Sequence, residues 1–250
     1  MSRAWLGLIL SAATGFAQDA RQIMQQAQDR AKSASQRYEG TLQVLDGKSK
    51  ITEKRWTYQR TGAAGDSKAV LRFTAPAEVK GVALLVVNHP DRASDQWMWT
   101  PSLQRERRIA FQDRSTRFFG TDFSFEDLEE RDVSQFDYQL ADEEQLGGAA
   151  VWKVISRPKK TKSSQYSHAH LWVDKQRFVI VKIESFKDAR LIRRIVYRDF
   201  RQVQGIWTPF VVEVEDTNRK GRTMLKTDKL EYNLPLKEEN FTLQALRRES

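Results

Sequence analysis

Tyr38-Glu39-Gly40-Thr41-Leu42-Gln43-Val44-Leu45-Asp46-Gly47 sets the architecture of this chain. Tyr38, Gly40, Leu42 and Val44 alternate with Glu39, Thr41 and Gln43, a period of two that marks a strand with one face buried. The Asp46-Gly47 pair that ends the run is a hairpin signal, so a partner strand is expected from Ile51 to Arg60.

The same pattern recurs outward from this hairpin. Further strands are read near Lys68 to Ala75, Gly81 to His89, Asp95 to Thr100, Arg105 to Phe111 and Phe136 to Ala141. Others follow at Ala150 to Arg157, Tyr166 to Asp174, Arg177 to Phe186, Leu191 to Gln202, Gly205 to Asp216 and Arg222 to Tyr232. Turn residues separate them at Gly62 to Asp66, His89 to Asp91, Gly147-Gly148, Asp174-Lys175 and Asn218 to Gly221. Short connections imply hairpin pairing and an antiparallel sheet. About 11–12 strands in one domain exceed what an open flat sheet holds, so the fold expected is mainly β, a strongly curved, unclosed half-barrel.

Two segments read as caps on that sheet. Asp19 to Arg37 carries Ile23, Ala27 and Ala31 at helical spacing among polar residues, an N-terminal helix that covers a core supplied by something else. The second cap is Asp113 to Arg131. It contains Phe118, Phe119, Phe123 and Phe125 around Gly120, and its Ser124 and Asp127 stand at capping spacing, predicting a short helix from Phe125 to Glu130. Four phenylalanines in so short a segment must dock into the concave side of the sheet.

Val82 to Val87, and much of Phe178 to Ile183, are apolar on both faces, and an antiparallel sheet needs covering where that occurs. A curved sheet closed by a thin lid is a geometry for a ligand hollow. The lining and lid candidates are Leu84, Val86, Trp97, Trp99, Phe118, Phe119, Phe123, Phe125 and Leu128. Trp97 and Trp99 share one strand face, as do Trp56 and Tyr58, and such rings serve either to hold acyl chains or to fill a large sheet.

The N-terminus points to export. Arg3 precedes an apolar run from Ala4 to Phe16 and small residues at Gly15 and Ala17, which is the pattern of a secretory signal at residues 1–17. That run is too short to span a bilayer. The remainder, 18–250, is read as one domain, soluble in the periplasm and a monomer. With Cys 0 in the chain, neither disulfides, Cys chemistry nor an acylated N-terminal Cys is available.

The net charge of +9 suits anionic surfaces or an acidic partner, while export argues against nucleic acid. Arg105, Arg107 and Arg108, with Lys159, Lys160 and Lys162 of a basic hairpin connection, are the candidates for headgroup or partner contact, and Arg193, Arg194 and Arg198 form a possible second patch. No catalytic constellation emerges. Asp122, Glu126 and Asp127 read as cap and dipole partners. His168 and His170 share a face with Trp172, but a third metal ligand at suitable spacing is missing. Neither a phosphate loop nor a nucleophile elbow is present. No enzyme activity, metal or cofactor is expected.

Phe73-Thr74-Ala75-Pro76 to Lys80-Gly81, Asp95-Gln96-Trp97-Met98-Trp99-Thr100-Pro101 and Phe119 to Leu128 stand in an order that resembles the outer-membrane lipoprotein-sorting (LolA-like) family. Trp172-Val173-Asp174, Tyr197 to Phe200, Gly205-Ile206-Trp207-Thr208-Pro209 and Asn240-Phe241-Thr242 continue it. The resemblance implies a half-barrel whose helix-capped concave face accepts acyl chains. It also implies a periplasmic carrier of a lipid or lipoprotein between the inner and outer membranes, beside an inner-membrane transporter. The alternative is a periplasmic sensor or assembly factor that binds a partner protein through the same hollow.

Overall fold

The structure, a computed structural model, describes residues 19–248. The signal sequence expected at 1–17 lies outside the described residues. Helix α1 (Ala20–Arg30) begins at Asp19, whose carboxylate accepts from the Arg21 N–H at 3.4 Å. It ends well short of the expected Arg37, because Ser33 is tied to the sheet. The Arg60 guanidinium donates to the Ser33 hydroxyl at 2.7 Å, and the first strand has already started by Ser35.

Strands β1 (Ser35–Leu45), β2 (Ile51–Ala63), β3 (Asp66–Ala75), β4 (Ala83–Asn88), β5 (Asp95–Thr100) and β6 (Arg105–Arg108) form one meander. A second comprises β7 (Phe136–Leu146), β8 (Ala149–Pro158), β9 (His168–Asp174), β10 (Ile180–Lys187), β11 (Arg190–Val203), β12 (Ile206–Asp216) and β13 (Arg222–Tyr232). Antiparallel pairing of β1 with β13 joins them into a 13-stranded sheet in the order β6-β5-β4-β3-β2-β1-β13-β12-β11-β10-β9-β8-β7. The sheet is mainly β, antiparallel and unclosed, as expected. Each segment read from the sequence has its strand, which puts the total of 13 one or two above the expected 11–12; the strand expected from Arg105 to Phe111 shortens to the four-residue edge strand β6, because Phe111 opens a 3-10 turn.

The opening hairpin holds, but its turn chemistry differs. Asp46 caps the loop by accepting from the Lys48 and Lys50 amides at 2.8 and 3.0 Å. The left-handed position therefore falls on Ser49 (φ 61°).

The two edge strands, β6 and β7, are consecutive in sequence. The intervening residues 109–135 must therefore cross from one edge of the sheet to the other, over its concave face. Ile109, Phe118, Phe123 and Phe125 of this crossing pack with Leu42, Trp56, Leu71, Leu84, Ile195 and Leu225 in one cluster drawn from both meanders. The short helix expected from Phe125 to Glu130 is one 3-10 turn, Glu126–Leu128. A second cluster joins Ile23, Met24 and Ala27 of α1 to Val154, Leu171 and Val173.

The sequence reading missed a third cap. The outer face of β4 (Ala83, Leu85) is covered by Phe241 and Leu246 of the C-terminal segment, which ends in the short helix α2 (Leu243–Leu246). Trp97 and Trp99 pack against this outer cluster. The double apolarity of Val82 to Val87 is thus explained by two covers on opposite faces.

Candidate functional site

The crossing segment folds on itself before it meets the sheet. The Phe118 N–H donates to the Phe123 carbonyl at 2.8 Å and the Thr121 N–H to Phe118 at 3.0 Å. Phe119 (φ 43°) and Gly120 (φ 75°) form the turn between them, the pattern of a primed turn that favours glycine at one of its two central positions. Phe119 tolerates its place because its carbonyl accepts from the Lys54 ammonium at 2.6 Å and its ring meets Phe118 at 5.4 Å. Phe118 stacks on Phe73 at 5.3 Å, Phe125 meets Phe118 edge-on at 5.5 Å, and Phe123 lies 6.0 Å from Trp56.

The acidic residues of the segment point inward. The side chains of Asp122, Asp127 and Glu129 are only 2%, 4% and 2% exposed. Asp127 Oδ2 lies 3.2 Å from Arg193 Nε on β11, and its carboxylate also accepts from Ser124 N and Oγ (both 2.7 Å) and from the Tyr166 hydroxyl (2.9 Å). Glu129 is 3.1 Å from Arg114 and pairs with Lys162. Asp122 exchanges hydrogen bonds with Thr223 at 2.8 and 2.7 Å, and burial raises its carboxyl against the pull of Thr223 and Arg117. Glu126 accepts from the Ser164 hydroxyl and from the Gln165 amide at 2.8 Å, and burial pushes it up to about 7. These acids therefore fasten the crossing to both halves of the sheet, a stronger role than the cap and dipole partners read from the sequence.

The aromatic plug leaves space beneath it. A hollow of about 370 Å³ lies under Phe123 and Leu128, walled by Leu71, Leu84, Val86, Val212 and Leu225 together with Tyr38, Tyr58 and Trp56. A second chamber of about 300 Å³ lies under α1, between Met24, Ala27, Phe178, Ile180 and Trp207, with Arg60, Glu130 and Arg131 at its edge. A smaller one of about 120 Å³ lies between the crossing and β8–β9. Tyr197 borders all three.

Of the lining candidates, Leu84, Val86, Phe123 and Leu128 border the hollow. Phe118, Phe119 and Phe125 pack beside it in the core. Trp97 and Trp99, expected in the same hollow, lie on the opposite face of the sheet, because side chains alternate along β5 and the C-terminal segment claims that side. Among the contact candidates, Arg105, Arg107 and Arg108 are exposed on the edge strand β6. Arg107 pairs with Asp113 at 3.0 Å, while Arg108 and Arg92 both meet Asp95, whose carboxyl is held far below its usual range against burial by Arg92, Arg108 and His89.

Lys160 is exposed and Lys159 donates to the Ser134 carbonyl at 2.8 Å. Lys162 was placed with these surface lysines but is 5% exposed, drawn inward by Glu129. The second patch divides likewise, with Arg193 buried and Arg194 and Arg198 on the outer face. His168 and His170 lie side by side against Phe186. Among the described residues no group of three His, Cys, Asp or Glu is placed to hold a metal ion.

Sequence reasoning passed over Tyr38, Tyr58 and Tyr197 as site residues, and it read Arg193 as surface charge where the structure buries it. The shared face of Tyr38 with Leu42, and of Tyr58 with Trp56, was the available signal. Burial lifts the phenols of Tyr58 and Tyr197 to about 12.

A protein-family model described as "-like: Uncharacterized protein" matches residues 65–248. No curated protein matches the chain. Solved structures share its fold. A domain described as an outer membrane lipoprotein-sorting protein from Vibrio parahaemolyticus has 23% identity and TM-score 0.86, covering 92% of this chain and 98% of its own. A DUF1329 family protein from Desulfovibrio piger has 24% identity and TM-score 0.86, with 91% and 97% covered. A LolA superfamily protein from Nitrosomonas europaea has 19% identity and TM-score 0.72, with 92% and 100% covered. The LolA-like resemblance seen in the sequence is thus met at the level of the fold.

Proposed function

This chain belongs to the family matched over residues 65–248, and on that premise we propose that it is a periplasmic carrier that holds the acyl chains of a lipid or lipoprotein in the hollow beneath the crossing segment. The observation that carries this reading is the hollow itself: an apolar space of about 370 Å³ that the four phenylalanines do not fill. Its size falls within the range of small-molecule sites. Each acyl methylene transferred into it contributes about 0.8 kcal/mol.

The fold supports the reading, being shared with proteins described as lipoprotein-sorting and as LolA superfamily. Residues 1–17 act as the export signal, and no helix among the described residues is long and apolar enough to cross a membrane. The chain transports and catalyses no reaction, receiving cargo from an inner-membrane transporter and giving it to the outer membrane. Arg105, Arg107, Arg108, Lys159 and Lys160 are the surface through which it meets anionic headgroups or that partner, and the proposal keeps 18–250 as a single unit.

The test is displacement of a fluorescent apolar probe, N-phenyl-1-naphthylamine, from purified protein by palmitoyl lysophospholipid. Saturable binding and full displacement are expected. Absence of any saturable site for probe or lipid would overturn the reading.

A further inference from the structure

The hollow carries a polar collar that a pure hydrocarbon guest does not need. Along β2 the inward residues run Trp56, Tyr58 and Arg60, and facing them on β1 are Gly40, Tyr38 and Gln36. Leu42 and Leu225 lie beyond Trp56 on the floor, while Arg60 and Ala63 border the chamber under α1. The wall therefore grades from aliphatic floor, through an aromatic ring of Trp56, Tyr38, Tyr58 and Tyr197, to a charged rim.

The donors of that ring are left open. Trp56 is 1% exposed, and its Nε1–H has no hydrogen-bond partner among the described residues. Burial raises the neighbouring Tyr38 phenol and the adjacent indole N–H offsets part of that rise, but the two groups do not meet hydrogen-bond geometry. Its position depends on Gly40, since a Cβ there would come within 2.6 Å of Nε1. Tyr38 and Tyr58 stack at 4.9 Å. Tyr166 and Tyr232 have hydroxyl partners in Asp127 (2.9 Å) and Thr208 (2.8 Å), but no described residue pairs with the hydroxyls of Tyr38, Tyr58 or Tyr197. Buried donors in native proteins are paired with few exceptions, and in this ring Trp56 Nε1 is the one fully buried donor without a partner, while the half-buried Tyr38, Tyr58 and Tyr197 border the open space; unpaired donors at the wall of an apolar hollow are the complement of a ligand acceptor.

We propose that the guest is held by an acyl carbonyl, the ester or amide oxygen accepting from Trp56 Nε1–H and the Tyr38 and Tyr58 hydroxyls, with its hydrocarbon on the floor and its head toward the chamber under α1. This rests on the carrier reading and adds to it the group by which the acylated cargo is recognised, its carbonyl in addition to its hydrocarbon.

The experiment compares two lysophosphatidylglycerols of equal chain length, 1-palmitoyl (ester) and 1-hexadecyl (ether), which differ only by the carbonyl. The ester is expected to bind about tenfold more tightly, equivalent to about 1.4 kcal/mol. In Trp56→Phe, and separately in Tyr38→Phe combined with Tyr58→Phe, the ester-to-ether ratio is expected to fall toward one, any loss of apolar packing being shared by both lipids. The tyrosine pair keeps both rings, so it remains informative if Trp56→Phe folds poorly. A synthetic N-acyl lipopeptide run in parallel identifies the source: tighter binding than the lysophospholipid indicates lipoprotein, weaker binding a free lipid. Equal affinity of ester and ether in the wild type, or an unchanged ratio in both variants, would overturn the proposal. Failure of every lipid to bind would overturn the carrier reading and this inference with it.

Discussion

Arg193→Met isolates the link between the crossing segment and the sheet. Arg193 is 2% exposed and places Nε 3.2 Å from Asp127 and Nη1 3.3 Å from Asp216, while donating to the Asp122 carbonyl. Burial opposes its charge, but Asp127, Tyr166 and Asp216 outweigh burial and raise its pKa. Methionine keeps an apolar stem of similar length and removes the guanidinium, both its charge and its N–H donors. Breaking a buried ion pair from one side costs about 3–5 kcal/mol, because the remaining charge is left uncompensated. Here Asp127 keeps three donors from Ser124 and Tyr166, and Asp216 keeps the Asn218 amide at 3.0 Å, which argues for the lower end.

The expected loss is therefore about 3 kcal/mol, and for a chain of this size that is a fall of about 6–12 °C in melting temperature. Urea and thermal melts measure it, with hydrogen exchange across residues 118–130 rising in parallel. Adding Asp127→Asn is expected to recover part of the loss, since the two residues share one interaction. A variant that melts within about 1 °C of wild type, with unchanged exchange in the crossing, would refute the claim that buried charge fastens this segment.

Three further outcomes follow from the same geometry. Ala69→Phe on β3 projects a ring into the hollow and is expected to weaken apolar-probe binding at least tenfold while the melting temperature stays within a few degrees; undiminished binding would place the site elsewhere. Glu126 is raised from its ordinary value of 4.5 to about 7 by burial, so its contribution to stability is full below about pH 4.5 and is lost as pH rises through 7. Melting temperature measured against pH is thus expected to drop less across that window in Glu126→Gln than in wild type, and identical profiles would contradict the assignment. Leu246→Ala uncovers the outer face of β4, where Leu246 is fully buried and its carbonyl accepts from Arg72 at 3.1 Å, and a denaturant midpoint corresponding to a loss of about 2–5 kcal/mol is expected.

The strands were legible because alternation along a half-buried strand is local information. Tyr38 to Val44 states its inward face without reference to the rest of the chain, and every strand read from the sequence has a counterpart in the sheet. The same locality explains the errors. Nothing within Asp95 to Thr100 says which face meets the hollow, so Trp97 and Trp99 were assigned to the inside when the C-terminal segment, more than a hundred residues away, takes their side. The crossing segment was recognised by its phenylalanines. Its acids were not recognised as inward anchors, since Asp122, Asp127 and Glu129 read as ordinary solvated charge until Thr223, Arg193 and Lys162 are brought beneath them. Lys162 was misplaced for the same reason. The hollow was inferred from an excess of apolar sheet over its covers, whereas its polar collar depends on cross-strand register that only the folded sheet supplies.

The central claim, that the space beneath the crossing segment holds acyl chains, is tested most directly by native mass spectrometry of the protein purified under non-denaturing conditions from cells that express it. The account predicts a population heavier than the bare polypeptide by the mass of one acylated molecule, released on denaturation and absent in Ala69→Phe. A single species at the mass of the bare polypeptide, unchanged after incubation with palmitoyl lysophospholipid, would contradict it.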